Sequence, residues 1–279
     1  MDKRPEGALM ILRKVLQVST NIRPVRMYPS LKCFSPLKAE RLEQGMDVAF
    51  VRDIAGGVFC SAKVQGNGDG GREAYEYEYY NETIVSKTAY TAFKLAKSRK
   101  NKVTNLDKSN VLGSSRLWRQ TVQQVSEDFP DVELEHLYID NAAMELIRNP
   151  GRFDVFVTSN LFGDIISDEG TELTGTPYLY PSAELSNTEQ GIYTPNQLHY
   201  PDESVIGKDM VNPIGMIAAA AQMLRLSFGL EAEAGAIEEA IRQVLAANIA
   251  TADIWHKGKI LVGTKEMGKR IADEIEAVS

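Results

Sequence analysis

Three aspartates and three arginines are the side chains of this 279-residue sequence best suited to chemistry. Asp164 and Asp168 stand four residues apart in the run NLFGDIISDEG. In a helix their carboxylates project from one face, about one turn apart. Two like charges so placed repel each other unless a cation or a basic partner lies between them. Asp140, at the end of the run VELEHLYID, is a third acid, read here at a strand terminus. Oxygen-only ligands of this kind suit Mg2+ or Mn2+, with substrate and water completing the shell. An exposed acidic helix start that complements the helix dipole accounts for the same spacing without a metal. Arg13, Arg23 and Arg52 fall on three separate segments: a helix, the start of a strand and a strand end. Any one of them taken alone reads as a surface charge. Arg52 follows VAFV directly and precedes the Gly56-Gly57 turn, a position suited to holding a carboxylate bidentately.

These side chains need elements to position them. The β-branched runs DVAFVRD, KVTNLD, VELEHLYID and FDVFVTS read as strands. Between them, ETIVSKTAYTAFKLAKSRK and SSRLWRQTVQQVSEDF carry apolar residues at helical spacing, as at Leu117, Trp118, Val122, Val125 and Phe129. Strand–helix alternation predicts an α/β protein with a mixed or parallel sheet. After Asn212-Pro213 the pattern is helical almost to the end, and MDKRPEGALMILRKVL reads as an amphipathic helix. The patch GNGDGG at Gly66 to Gly71 precedes the strand-like REAYEYEYY, so it predicts a hairpin loop and not a phosphate cradle. The basic run Lys94, Lys97, Arg99, Lys100 and Lys102 reads as the solvated end of a helix.

Composition narrows the possible partners. The chain is 43% hydrophobic and 25% charged, ordinary for a globular protein, and long enough for one large domain or two smaller ones. Lys plus Arg total 31 against 38 Asp plus Glu, and the net charge of -7 argues against nucleic acid or an anionic membrane as partner. Cys33 and Cys60 lack metal-ligand spacing and read as free thiols in a reducing cytoplasm. No signal peptide is legible at the start, and the apolar run MIAAAAQMLRLSFG, broken by Gln222 and Arg225, is too short for a bilayer.

The runs RPEGALMILRK, NIRPVRMYPSL, VRDIAGG, LDKSNVL, YIDNAAMELIRNP, NLFGDIISDEGTELTG, PSA, NPIGM and VGTKEMG carry a resemblance. In this order they resemble the metal-dependent β-decarboxylating dehydrogenases, the isocitrate/isopropylmalate dehydrogenase family, from Arg4 to Gly268. The branch resembled is the one acting on 3-isopropylmalate in leucine biosynthesis. The resemblance implies that Arg13, Arg23 and Arg52 hold the carboxylates of a small 2-hydroxy dicarboxylate. Asp140, Asp164 and Asp168 match the metal carboxylates, with Asp140 reaching across a homodimer interface. Lys108 matches the proton-transfer lysine, also from the neighbouring subunit. Glu6, Leu9 and Met10 fall where the family reads the substrate's variable group, and the apolar Leu-Met pair suits an isopropyl group. Asp202 and Asn212 match cofactor-side positions, and NAD with Mg2+ or Mn2+ is the implied cofactor set. The implied fold has two α/β domains. Residues 24–175 form the substrate and dimerisation domain, and residues 1–23 and 176–279 the cofactor-side domain.

Three departures accompany the resemblance. The family's opening βα units, which precede RPE, have no counterpart before Arg4, so the cofactor-side domain is expected without those strands. Phe59 stands where the family places a proton-donating tyrosine, and the loss of a general acid typically costs about a hundred- to ten-thousandfold. The loop TPNQLHYPDESVIG carries Leu198, His199 and Tyr200 where the family keeps small residues against the dinucleotide. Two functions follow: a 3-isopropylmalate-oxidising enzyme, or a weak or silent relative acting as a binding or regulatory partner.

Overall fold

The computed structural model describes residues 5–186, 190–196 and 203–278. Its elements are α1 (Pro5–Leu16), β1 (Thr20–Arg26), β2 (Asp47–Asp53), β3 (Val64–Gly68), β4 (Gly71–Tyr75), α2 (Glu82–Lys97), β5 (Lys102–Asp107), α3 (Gly113–Ser126) and β6 (Glu133–Tyr138). They continue with α4 (Ile139–Arg148), β7 (Val155–Thr158), α5 (Asn160–Glu172), β8 (Pro181–Leu185), β9 (Gly191–Pro195), α6 (Ile214–Phe228), α7 (Glu231–Ala246), β10 (Ile249–Ala250), β11 (Ile260–Leu261) and α8 (Thr264–Val278).

Seven strands make one mixed sheet in the order β6-β5-β7-β2-β1-β8-β9. β6, β5, β7 and β2 are mutually parallel, whereas β1, β8 and β9 join antiparallel. The expected α/β class with a mixed sheet is therefore present. The period of two along each strand sorts side chains between two cores. Ile22, Ala49, Val51, Val103, Val155 and Val157 meet α2 and α3 through Val85, Phe93, Trp118 and Val122. Val25, Val48, Phe50, Leu106 and Phe156 lie on the opposite face with α4 and α5, in a core that runs on through Ile214, Ile241, Val244, Met267 and Ile271. The boundary expected at Arg23–Pro24 lies within β1, whose strand pairing continues through it. Among the described residues no helix is long and apolar enough to cross a membrane.

The glycine patch is a hairpin, as expected: Gly68 pairs with Gly71 across the turn of β3 and β4. Two local readings change. Asp140 lies in the first turn of α4 and not at the end of a strand, because β6 stops at Tyr138. In the basic run Lys94 and Lys97 are exposed, but Arg99 is not a solvated helix end. Its Nε donates to Asp154 Oδ1 at 2.7 Å and its Nη2 to Asp47 Oδ1 at 2.7 Å. Asp154 is buried, so it needs that cation and the backbone N–H groups of Lys100 and Lys102. On α1, Met10, Ile11, Leu12 and Val15 face solvent.

α5 can lie close to β2 because its contact stripe is glycine. A Cβ on Gly163 would fall 2.7 Å from Arg52 Cγ, and one on Gly170 2.5 Å from Cζ of the fully buried Phe50. Neither neighbour can retreat without disturbing the core. Gly235, in α7, has open space around its missing Cβ. The same substitution therefore has opposite effects at two helical sites. Gly170→Ala should destabilise by about 1–3 kcal/mol through overpacking. Gly235→Ala should stabilise by about 0.5–1 kcal/mol through helix propensity. Urea unfolding of the two variants checks both signs.

Candidate active site

Arg52 ends β2 with its side chain only 5% exposed, and α5 supplies what its guanidinium requires. Asn160 Oδ1 accepts from Arg52 Nε at 3.0 Å and Nη2 at 2.8 Å, and Asp164 Oδ1 accepts from Nη1. Burial pushes the Arg52 guanidinium down to about 10 while Asp164 opposes the shift, so it remains a cation at neutral pH. Arg23, on β1, donates from Nη1 to Ser167 Oγ at 2.8 Å and to Asp168 Oδ1 at 2.9 Å. Its Nη2 lies 3.9 Å from Asp164 Oδ1. The two aspartates do share one face of a helix, as their spacing predicts, and the cations between them are arginines. Their side chains are 31% and 35% exposed, which leaves them open to a ligand from solvent.

The turn after β2 is fixed from the same side. Asn160 donates from Nδ2 to Gly56 O at 2.9 Å, and its backbone N–H donates to the Tyr80 hydroxyl at 2.9 Å. Gly57 has φ +76°, and a Cβ there would fall 2.7 Å from the Tyr80 Oη, so a side chain is excluded twice over. The turn delivers Phe59, whose ring centroid lies 5.8 Å from the Arg52 guanidinium carbon. The ring gives Arg52 a cation–π face but has no proton to donate. Cys60 lies next to it, with its thiol 3.8 Å from Asn160 Nδ2; burial pushes that thiol up.

Arg13 reaches the site from α1. Its Nε donates to Glu184 Oε2 at 2.8 Å and its Nη2 to Glu184 Oε1. Burial works against the Arg13 charge, but Glu184 overcomes it and holds the guanidinium above its ordinary value. Glu184 is on β8 and nearly buried. It pairs in register with Asn21 of β1, which pairs on its other side with Arg52. Thus Arg52, Asn21 and Glu184 form one row across the sheet. Leu9 is half-buried one turn before Arg13, whereas Met10 is exposed on the neighbouring face; the Glu6 side chain lies outside the described residues.

Lys108 and Asp140 stand apart from this cluster but pair with each other, Nζ to Oδ1, at 2.6 Å. Lys108 follows β5 and Asp140 follows β6, whereas Arg52 ends β2. Three strand steps separate β6 from β2, roughly 14 Å at ordinary spacing, too far for one ion to bridge. Accordingly, among the described residues of one chain no three His, Cys, Asp or Glu side chains gather as a metal site. Lys108 holds the Asp140 carboxyl below the usual carboxylate range. Of the cofactor-side positions, Asp202 lies outside the described residues. Asn212 donates to Asp253 Oδ2 at 3.0 Å and accepts from Ile214 N at 3.0 Å, at the start of α6. Both ends of its amide are thus used within the chain.

Sequence reading missed Glu184, Asn21, Asn160 and Ser167. Asn160 and Ser167 lie inside the run that carries Asp164 and Asp168, and helical spacing places Ser167 with Asn160 and Asp164 (i, i+4, i+7). Glu184 and Asn21 gave no signal, because only the antiparallel pairing of distant strands brings them together.

The chain matches the isocitrate/isopropylmalate dehydrogenase family profile over residues 1–271. It is 44% identical to a 3-isopropylmalate dehydrogenase of Clostridium acetobutylicum, over 98% of this chain and 76% of that protein. It is 46% identical to one of Geobacillus kaustophilus, over 96% of this chain and 72% of that protein. The crystal structure of isocitrate dehydrogenase from Methylococcus capsulatus superposes with a TM-score of 0.82 at 26% identity, covering 95% of this chain and 75% of that one. The chain belongs to the isocitrate/isopropylmalate dehydrogenase family.

Proposed function

We propose that this chain oxidises and decarboxylates 3-isopropylmalate, with NAD as hydride acceptor and Mg2+ or Mn2+ at the substrate. The observation that carries the reading is the meeting of Arg52, at the carboxyl end of β2, and Arg23, on the neighbouring antiparallel β1, with Asp164 and Asp168 of α5. That helix follows the carboxyl end of parallel β7, where α/β enzymes place ligands. The names of the relatives, 3-isopropylmalate dehydrogenase, support the same substrate.

The residues fit a divalent cation. Asp164 and Asp168 offer hard oxygen ligands one turn apart, open to solvent, and already face positive charge. Asp140 of a second copy is the third ligand in this reading. A divalent cation held there would supply Lewis-acid stabilisation of the negative charge that develops on the substrate oxygens. Arg23 and Arg52 orient the substrate carboxylates, and desolvation around Arg52 strengthens that hold. Lys108 of the second copy holds or moves a proton at the substrate hydroxyl. Phe59 shields Arg52 from water but leaves the final protonation to water or to that lysine. Residues 24–175 serve as the substrate and dimerisation side, and residues 1–23 with 176–279 as the cofactor side.

A homodimer through α4 and α5 completes this assignment. Met144, Ile147 and Ile165 are exposed there, and apolar surface of that kind favours association. Ile165→Glu should give a monomer in analytical ultracentrifugation and lose Mn2+ binding measured by water proton relaxation. A monomeric variant that keeps Mn2+ binding would remove Asp140 of a second copy from the site.

Turnover is checked by NADH formation from 3-isopropylmalate with Mn2+. The chain should show metal-dependent activity, and Arg23→Ala should raise KM about ten- to a hundredfold, since a charged hydrogen bond is lost. Phe59→Tyr should raise kcat at least about tenfold by restoring a proton donor, with KM little changed. The absence of both NADH formation and calorimetric binding of 3-isopropylmalate in the unaltered chain would overturn the reading.

A further inference from the structure

Arg13 differs from the other two arginines in the partner it has. Arg23 and Arg52 face aspartates that are partly open to solvent, whereas Arg13 is held at two nitrogens by a glutamate whose side chain is only 7% exposed. Glu184 occupies the Nε–Nη2 edge of the guanidinium, the edge that gives a carboxylate two parallel hydrogen bonds. A ligand can still approach the Nη1 side, but it meets a guanidinium already neutralised. A carboxylate arriving there also lies close to the Glu184 carboxylate, since both share one planar group.

A second observation on the same row points the same way. Asn21 sits between Arg52 and Glu184 in the sheet register and is 1% exposed. Its Nδ2 donates to Ser182 Oγ at 2.8 Å and to the Ala183 carbonyl at 3.2 Å, and the carbonyl fixes which end of the amide is which. Among the described residues its Oδ1 is buried without a hydrogen-bond partner. A buried acceptor of this kind is satisfied by a donor and not by an anion. Behind the corner between Arg52 and Arg13 the sheet row thus places two acceptor groups, one of them charged, and their field opposes an added anion.

We propose that Glu184, together with Asn21, is the specificity-determining device of the substrate site: it lowers the value of a second carboxylate at the Arg13 corner and so narrows the preference for a carboxylate over an uncharged group there. This rests on the reading that the site binds a 2-hydroxy dicarboxylate through its arginines. The device acts through Arg13, so Glu184 is a positioning residue and not a catalytic one.

The test compares 3-isopropylmalate with each of its two monoamides by calorimetry, with Mn2+ present, in the unaltered chain and in Glu184→Gln. The monoamide keeps size and shape while replacing one carboxylate by a donor. In the unaltered chain, one of the two monoamides should bind within about threefold of the diacid. In Glu184→Gln the diacid should gain about tenfold over that monoamide, about 1.4 kcal/mol. A merely structural role for Glu184 would weaken both ligands together and leave their ratio unchanged, which overturns the assignment. Should Glu184→Gln fail to fold, judged by circular dichroism, the unaltered chain decides alone: a preference for the diacid above about tenfold over both monoamides overturns it. Absence of heat with every compound in the unaltered chain overturns the dicarboxylate reading and this assignment with it, whereas binding with an unchanged ratio overturns the assignment alone.

Discussion

A guanidinium at the end of a buried strand needs acceptors within reach. Water cannot serve Arg52, whose side chain is 5% exposed, so the chain must bring acceptors to it. α5 does this with Asn160 and Asp164, four residues apart on one helical face. Leaving such a charge unpaired typically costs about 3–5 kcal/mol, which is enough to dictate where a helix packs. Gly163 permits the approach, because any side chain there would strike the Arg52 stem. The other bonds of Asn160 then fix the Gly56-Gly57 turn and Tyr80. One buried cation thereby places the helix that carries Asp164 and Asp168, the turn that carries Phe59, and the floor on which a substrate would rest.

The parallel strands add the second constraint. β2, β7, β5 and β6 all release their chains at the same sheet edge, so Arg52, Asn160, Lys108 and Asp140 emerge side by side. Strand spacing then separates them into two groups that one chain cannot merge. At one end stand the arginines with Asp164 and Asp168; at the other stands the Lys108–Asp140 pair, bound to itself. In the proposed homodimer, the two-fold axis of an isologous interface would bring the far group of one chain to the near group of the other.

Periodicity carried much of this in the sequence. The strands around Val51 and Val157 announce themselves by β-branched residues, and the four-residue spacing of Asp164 and Asp168 fixes their common face whatever surrounds them. Asp140 was placed one element too early because Ile139 extends the apolar pattern of β6, while the helix begins there. Arg99 read as solvated because nothing local distinguishes a helix-end cation from one that reaches Asp154, 55 residues away. Glu184 and Asn21 mark the real limit. Their roles depend on β1 pairing with β8, across 161 residues between Asn21 and Ser182, and no period within either segment encodes that pairing.

Charge balance connects these parts. Arg13, Arg23 and Arg52 are matched by Asp164, Asp168 and Glu184, so the charges of these six side chains balance. Under the proposed function a divalent cation alone would add two positive charges, and a dicarboxylate alone two negative ones. Each excess is costly where water is partly excluded, since a lower dielectric makes charge interactions stronger at a given distance than in bulk solvent. Together they cancel, so metal and dianion are favoured as a pair over either partner alone. Each then raises the affinity of the other by the same factor, as linkage requires. Glu184 tunes that balance: with its charge removed the cluster carries a net positive charge, and the more negative ligand gains. Under the proposed function, the glutamate that neutralises Arg13 would thus also set how much anionic charge a bound metal can draw into the site.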